Sequence, residues 1–251
     1  MSVILLTNDD GIEAEGLATL EKVLGDLARI VVVAPDRERS AVSHGLTIRE
    51  SLKIKECGTD RYSLSGTPAD CVIYALRHLF NVFPNLVISG INHGANLGDD
   101  IMYSGTVAAA REASRSGIPS MAVSLAYDEG AMNFKEAGNI TKDMVKSLLG
   151  DGLGGELCLN VNFPVRKIRG MKITRQGCSE NIPHFNFLDR TSASNPLPRR
   201  LEAKQENDVW SDRKAILHQY VSITPLKRDQ TDYDCLGSLK KQLDGLLSDK
   251  H

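Results

Sequence analysis

No run in this 251-residue chain approaches the ~18 consecutive apolar residues of a membrane-spanning helix, so a hydrophobic anchor is not expected. Charge of either sign is not in excess. Thirty Lys and Arg stand against 32 Asp and Glu, and the pI is near 6.3, which gives no general pull toward nucleic acid or an anionic surface. A phosphate group would therefore have to be held by a local site. Aromatic residues make up only 5% of the chain, too few for an evident stacking slot. The five cysteines, Cys57, Cys71, Cys158, Cys178 and Cys235, form no C-x-x-C pair, and their number is odd. That excludes the usual zinc spacings and reads as free thiols in a reducing compartment. Met1 is not followed by a basic stretch and a signal-like apolar segment, so the cytoplasm is the expected location. The chain also lacks G-x-x-x-x-G-K-[ST], a G-x-G-x-x-G after its first strand, and H-E-x-x-H.

What is present is a strong alternation of strand and helix signals. Val3–Leu6, Ile30–Val33, Leu86–Ser89 and Met121–Ser124 read as buried strands. Leu17, Leu20, Leu24 and Leu27 mark a helix between the first two. Residues 47–64 read as antiparallel strands around a turn at Cys57-Gly58-Thr59-Asp60. Thr67-Pro68-Ala69-Asp70 has the marks of a helix start, with a Thr cap, Pro at the first position and Asp three residues after the cap. An alanine-rich helix is expected from near Thr106. Such alternation implies α/β architecture with parallel β-α-β units.

Beyond residue 130 the pattern changes. Phe134, Ala137, Ile140, Met144 and Leu148 predict one more amphipathic helix. Cys158–Val161, Met171–Thr174 and Tyr220–Ile223 predict strands, and Leu236, Leu239, Leu243 and Leu246 a terminal helix. Residues 179–215 are polar, contain Pro183, Pro196 and Pro198, and read as extended arms or a long loop that packs on a partner subunit. The expected organisation is a catalytic core over residues 1–130. Residues 131–251 then complete it and carry the dimerisation arms, at about 179–235.

Three of the four core strands run into polar clusters. Asn8-Asp9-Asp10-Gly11 is the most informative. Adjacent carboxylates raise one another's pKa, and a bound divalent cation removes that cost. The same residues are also ordinary turn and cap chemistry. Ser104-Gly105-Thr106 precedes a helix, where backbone N–H groups and hydroxyls make an anion site or a plain cap. Asn92 and Asn96 lie in a Gly-rich loop. They suit a carbonyl ligand and a phosphate donor, or simply tolerate left-handed backbone. The set is rich in oxygen, which favours magnesium or manganese over zinc.

The ordered motifs I-L-L-T-N-D-D-G-I, A-P-D-R-x-R-S, G-T-P-A-D-C-V, S-G-I-N-x-G-x-N-L-G-D-D and Y-S-G-T-V-A-A-A resemble the SurE (stationary-phase survival protein E) family of metal-dependent 5′-nucleotidases. The likeness runs through residues 4–110 and resumes at Asn160-Val161-Asn162-Phe163-Pro164 and at Tyr220–Leu226. It implies a Rossmann-like core, with a mostly parallel sheet and helices on both faces, and a C-terminal extension that exchanges arms. It further implies one divalent ion per subunit, Mg²⁺ or Mn²⁺, on Asp9, Asp10, Ser40 and Asn92. Asn96 and Ser104-Gly105-Thr106 would surround the phosphate. The chain departs from the family pattern at Gly45, where a second Ser is common.

The expected activity is hydrolysis of nucleoside 5′-monophosphates, with 3′-monophosphates as further substrates, by a homodimer or tetramer. One Asp would bind the cation while the other accepts a proton from water. Asn96 would aid catalysis, and His44 is either a leaving-group acid on the substrate side or only a loop hydrogen-bonder. Two alternatives share these residues: an exopolyphosphatase, and a non-catalytic phosphate sensor resembling a phospho-receiver. A receiver needs an acceptor Asp after its third core strand, where this chain has Ser89-Gly90.

Overall fold

The computed structural model describes residues 2–127, 132–150, 154, 156–178 and 209–243. A nine-stranded sheet runs through it. Its strands are β1 (Val3–Thr7), β2 (Arg29–Pro35), β3 (Ile54–Gly58), β4 (Arg61–Leu64), β5 (Leu86–His93), β6 (Ser120–Leu125), β7 (Cys158–Phe163), β8 (Met171–Ile173) and β9 (Val221–Pro225). Their order across the sheet is β3-β4-β2-β1-β5-β6-β7-β9-β8. The central strands β4, β2, β1, β5, β6 and β7 pair in parallel, as their apolar runs predict. Antiparallel pairing enters toward the edges, at β3–β4 and β7–β9.

The helices are α1 (Glu15–Leu24), α2 (Pro68–His78), α3 (Gly105–Arg115), α4 (Phe134–Gly150), α5 (Asp212–Leu217) and α6 (Tyr233–Gln242). α1 and α4 cover one face of the sheet, and their apolar sides pack with Ile4, Leu6, Val32 and Val123. α2 and α3 cover the other face, against Leu5, Val31, Val33 and Val87. Both layers are therefore present, as a doubly wound α/β sheet requires. The capping box at the start of α2 forms as the sequence predicts. Thr67 Oγ1 accepts the Asp70 N–H at 3.1 Å, and Asp70 Oδ2 accepts the Thr67 N–H at 2.9 Å.

Several elements differ from the sequence reading. The strands expected over 47–64 shorten to β3 and β4, because the stretch before Ile54 runs as a loop bonded through Lys53 to Ser65. β5 extends four residues past Ser89, carrying Asn92 and His93 onto the sheet. The extended stretch expected to reach residue 215 ends earlier: Ser211 accepts the Lys214 N–H and caps α5. Residues 179–208 and Leu246 lie outside the described residues.

Close approach between α1 and β5 fixes the glycine at position 16, where a β-carbon would lie 2.0 Å from the Ile91 carbonyl oxygen. Helix propensity alone favours Gly16→Ala by about 1 kcal/mol. The collision with backbone outweighs that gain, and we expect Gly16→Ala to destabilise the fold by about 2–4 kcal/mol. Urea unfolding checks this; an unchanged or higher midpoint would show that α1 can move away without cost.

Candidate active site

β1 is followed by α1 on one face and β5 by α3 on the other. The crevice between these two strands is thus the switch point of the sheet, where open α/β folds bind ligands. Asp9 and Asp10 leave β1 at this point. Asn8 shapes the turn: its Oδ1 accepts the Gly11 N–H at 3.2 Å and its Nδ2 donates to the Gly11 carbonyl at 2.9 Å. Gly11 has φ +103°, a left-handed conformation that glycine adopts freely.

The two carboxylates face different partners. Asp9 is buried and accepts both the hydroxyl and the backbone N–H of Thr106 at the start of α3. Asp10 is half-buried, and its Oδ2 accepts the His93 N–H at 3.3 Å. Burial pushes the Asp9 carboxyl above its ordinary pKa against the Thr106 hydrogen bond. Burial and the neighbouring Asp9 charge push Asp10 up to about 6, with the His93 N–H opposing. Glu38 adds negative charge near both. Among the described residues no Lys or Arg forms an ion pair with Asp9 or Asp10. Among the described residues the crevice therefore holds negative charge with no cationic side chain paired to it.

The other expected ligands approach from two loops. The Arg39 N–H donates to the Asp9 carbonyl at 2.7 Å, which brings Ser40 beside the pair. Ser40 is exposed and donates to Glu38 Oε1. Asn92 turns its Nδ2 to the Gly94 carbonyl at 2.8 Å, leaving Oδ1 as its free end. Among the described residues, no three or more His, Cys, Asp or Glu gather as a metal nest. A cation here would rest on two carboxylates, one hydroxyl, one amide oxygen and water. That oxygen set suits a hard ion that keeps part of its hydration shell, so the residues fit magnesium or manganese.

On the expected phosphate side, the structure spends several groups internally. Ser104 Oγ accepts the Val107 N–H at 3.1 Å, which makes it the cap of α3; its hydroxyl proton is not used by that bond. Thr106 is fully buried, and the anion its N–H meets is Asp9 itself. A β-carbon at Gly105 would sit 3.0 Å from Asp9 Oδ2 and 3.1 Å from Val42 Cγ1, so this glycine lets α3 approach the acidic pair.

Asn96 is buried and tightly held. Its Nδ2 donates to Ser124 Oγ at 2.8 Å, and its backbone N–H donates to Asn162 Oδ1 at 2.7 Å. Its carbonyl accepts from Asn160 Nδ2 at 2.8 Å and Asn162 Nδ2 at 3.1 Å. Two residues on, the Gly98 N–H donates to Asp212 Oδ2 at 2.8 Å and Gln176 Nε2 donates to the Gly98 carbonyl at 2.9 Å. His44 lies two turns along α3 from Gly105, where its Nε2 is 3.0 Å from Glu112 Oε2. Burial opposes ionisation of Glu112. The hydrogen bonds of His44 and Arg115 outweigh it and hold the carboxyl below its ordinary value.

Of the residues expected from sequence, Thr106 bonds Asp9, the backbone beside Ser40 bonds Asp9, and the backbone beside Asn92 bonds Asp10, whereas Asn96 is held by Ser124 and Asn162, and His44 by Glu112. Asn160, Asn162, Ser124, Asp212 and Glu112 were missed. The strand Cys158–Phe163 did carry a signal: amides at alternate positions of a buried strand must find partners on one face.

Comparisons with known proteins point one way. The family model described as Survival protein SurE matches residues 4–182. The 5′-nucleotidase SurE of Pelobacter propionicus is 44% identical over 239 residues, covering 92% of this chain and 95% of that protein. The 5′-nucleotidase SurE of Aquifex aeolicus is 42% identical over 248 residues, covering 96% and 98%. The crystal structure of the SurE protein from Aquifex aeolicus superposes with a TM-score of 0.82 at 40% identity, covering 96% of this chain and 99% of that one.

Proposed function

The chain belongs to the Survival protein SurE family, and from that premise we infer that it is a 5′-nucleotidase, a hydrolase that releases phosphate from nucleoside monophosphates. The observation that carries this reading to particular residues is the acidic pair Asp9–Asp10. It lies at the switch point with no cationic partner among the described residues and the N-terminus of α3 beside it.

In the proposed site Asp9, Asp10, Ser40 and Asn92 hold one Mg²⁺ or Mn²⁺. When bound, the ion lowers the pKa of water and polarises a phosphoryl oxygen. Asp9 is fixed by two donations from Thr106 and serves to hold charge in place. Asp10 is half-buried and has a single N–H donor, on Oδ2, which suits it to act as the base. Its Oδ1 accepts the proton of the attacking water. The Ser104 hydroxyl proton, the Gly105 backbone and the second amide hydrogen of Asn96 bind the phosphate oxygens as charge redistributes. His44 is assigned to the substrate side, anchored through Nε2 by Glu112.

The proposal extends to assembly and location. α6 exposes Tyr233, Leu236 and Leu239, with Leu243 just after it, and a second copy of the chain, in a dimer or tetramer, is the cover we propose for this face. All five cysteines are free, which supports work in the cytoplasm. No helix among the described residues is long and apolar enough to cross a membrane.

Met102 and Tyr103 are exposed after the third loop and offer a surface for a base, not an enclosing slot. Imperfect pocket contacts of this kind discriminate by roughly 10- to 200-fold. We therefore expect kcat/KM for AMP, GMP, CMP and UMP to fall within that range, with 3′-monophosphates also cleaved and diesters poor. A steady-state panel with added Mg²⁺ or Mn²⁺, including tripolyphosphate, tests this. Faster release from tripolyphosphate than from any nucleotide, or a preference for one base beyond about a thousandfold, would refute the substrate assignment.

A further inference from the structure

The motif Asn160-Val161-Asn162 has no place in the chemistry above, yet its two amides converge on a single residue of the site. Asn160 and Asn162 are fully buried on β7, on the face of the sheet opposite Val161. Asn162 grips the main chain of Asn96 at both ends: its Oδ1 accepts the Asn96 N–H, and its Nδ2 donates to the Asn96 carbonyl. Ser124, level with Asn162 in the β6–β7 register, accepts from the Asn96 side chain.

We infer that Asn162 and Ser124 are positioning residues for nucleotide hydrolysis: Asn162 fixes the backbone of Asn96, and Ser124 fixes which way its amide faces. The inference rests on the reading of Asn96 as a phosphate contact. Of the two β7 amides, Asn162 is the one that cannot be replaced. Asn160 also donates to the Asn96 carbonyl, but only Asn162 accepts the Asn96 N–H. Asn160 moreover keeps its own Oδ1 buried without a hydrogen bond. Backbone held at two points by a rigid strand keeps a side chain within the narrow tolerance that transition-state contacts require.

The experiment is a double-mutant cycle on the full chain, in which Asn162→Ala, Asn96→Ala and the double variant are assayed with AMP at saturating Mg²⁺ or Mn²⁺, alongside thermal unfolding. Misplacement of a contact by about 1 Å costs up to about 100-fold, so Asn162→Ala is expected to lower kcat/KM by about 10- to 100-fold. Because Asn162 acts through Asn96, the double variant should fall no more than about 2-fold below Asn96→Ala. Asn160→Ala should do much less than Asn162→Ala. Penalties that multiply, or an Asn162→Ala enzyme within about 2-fold of wild type, would overturn the inference. If Asn96→Ala itself retains full kcat/KM, the reading of Asn96 falls first. Should Asn162→Ala not fold, Ser124→Ala carries the same cycle with the same expectation of non-additivity.

Discussion

Asp10→Asn is expected to yield a protein that is more stable without metal than the wild type and nearly inert as an enzyme. Both effects come from the same charge. The Asp10 carboxyl titrates near 6 in the fold against an ordinary value of 3.8, because burial and the Asp9 charge penalise its ionised form. A carboxyl raised in this way favours the folded state fully only while protonated, below the unfolded value. The benefit is lost as pH climbs through 6, and above that the charge costs a constant amount. About two pKa units, discounted for the solvent that reaches a half-buried group, correspond to about 1–3 kcal/mol at pH 7.5. Asparagine keeps an oxygen for the His93 N–H and carries no charge. Its metal-free unfolding free energy should therefore exceed wild type at pH 7.5, and the gap should close near pH 4. Loss of a ligand and base should cost several orders of magnitude in kcat. Near wild-type turnover at saturating metal would remove Asp10 from the site. Equal stabilities in EDTA would remove the electrostatic argument.

Chelation should stop the wild-type enzyme, and it should also soften it. Uncompensated negative charge at the switch point is relieved when a divalent ion binds the folded state alone. At a hundredfold excess over the dissociation constant that linkage stabilises the fold by about 2.7 kcal/mol. For a chain of this size the rise in Tm is about 5–10 °C. Activity and Tm should fall together in EDTA and return together with Mg²⁺ or Mn²⁺. Asp10→Asn should lose most of the increment in Tm, which ties the readout to the acidic pair and not to a surface site. Full activity in EDTA would exclude the divalent ion from the reaction.

Features with a local cause were legible in the chain. The strand Val3–Thr7 and the turn after it are written in adjacent residues. So is the capping box of α2, where Thr67 and Asp70 satisfy each other within one turn. The convergence of the three polar loops followed once the strands were taken as parallel, since such strands deliver their C-terminal loops to one edge; the choice of Ser40 and Asn92 within those loops came from the resemblance to the SurE family. Features that depend on partners far along the chain were not legible. Nothing near Thr106 says that its hydroxyl and N–H go to Asp9, and so the start of α3 read equally as an anion site or a plain cap. Asn162 meets Asn96 across 66 positions and Asp212 meets Gly98 across 114. The helix α5 had its Ser211 cap in plain view, but the prolines before it made the whole stretch read as extended.

The place of β9 sets a timetable for biosynthesis. β9 lies between β7 and β8, although it leaves the ribosome after both. Until it arrives, β8 has no neighbour and β7 is an open edge. Asn96 finds its clamp only when Asn162 has emerged, and Gly98 only when Asp212 has. At about 5–20 residues per second these steps trail the synthesis of the acidic pair by many seconds. A nascent chain thus carries Asp9 and Asp10 well before the loop holding Asn96 and Gly98 is tied down.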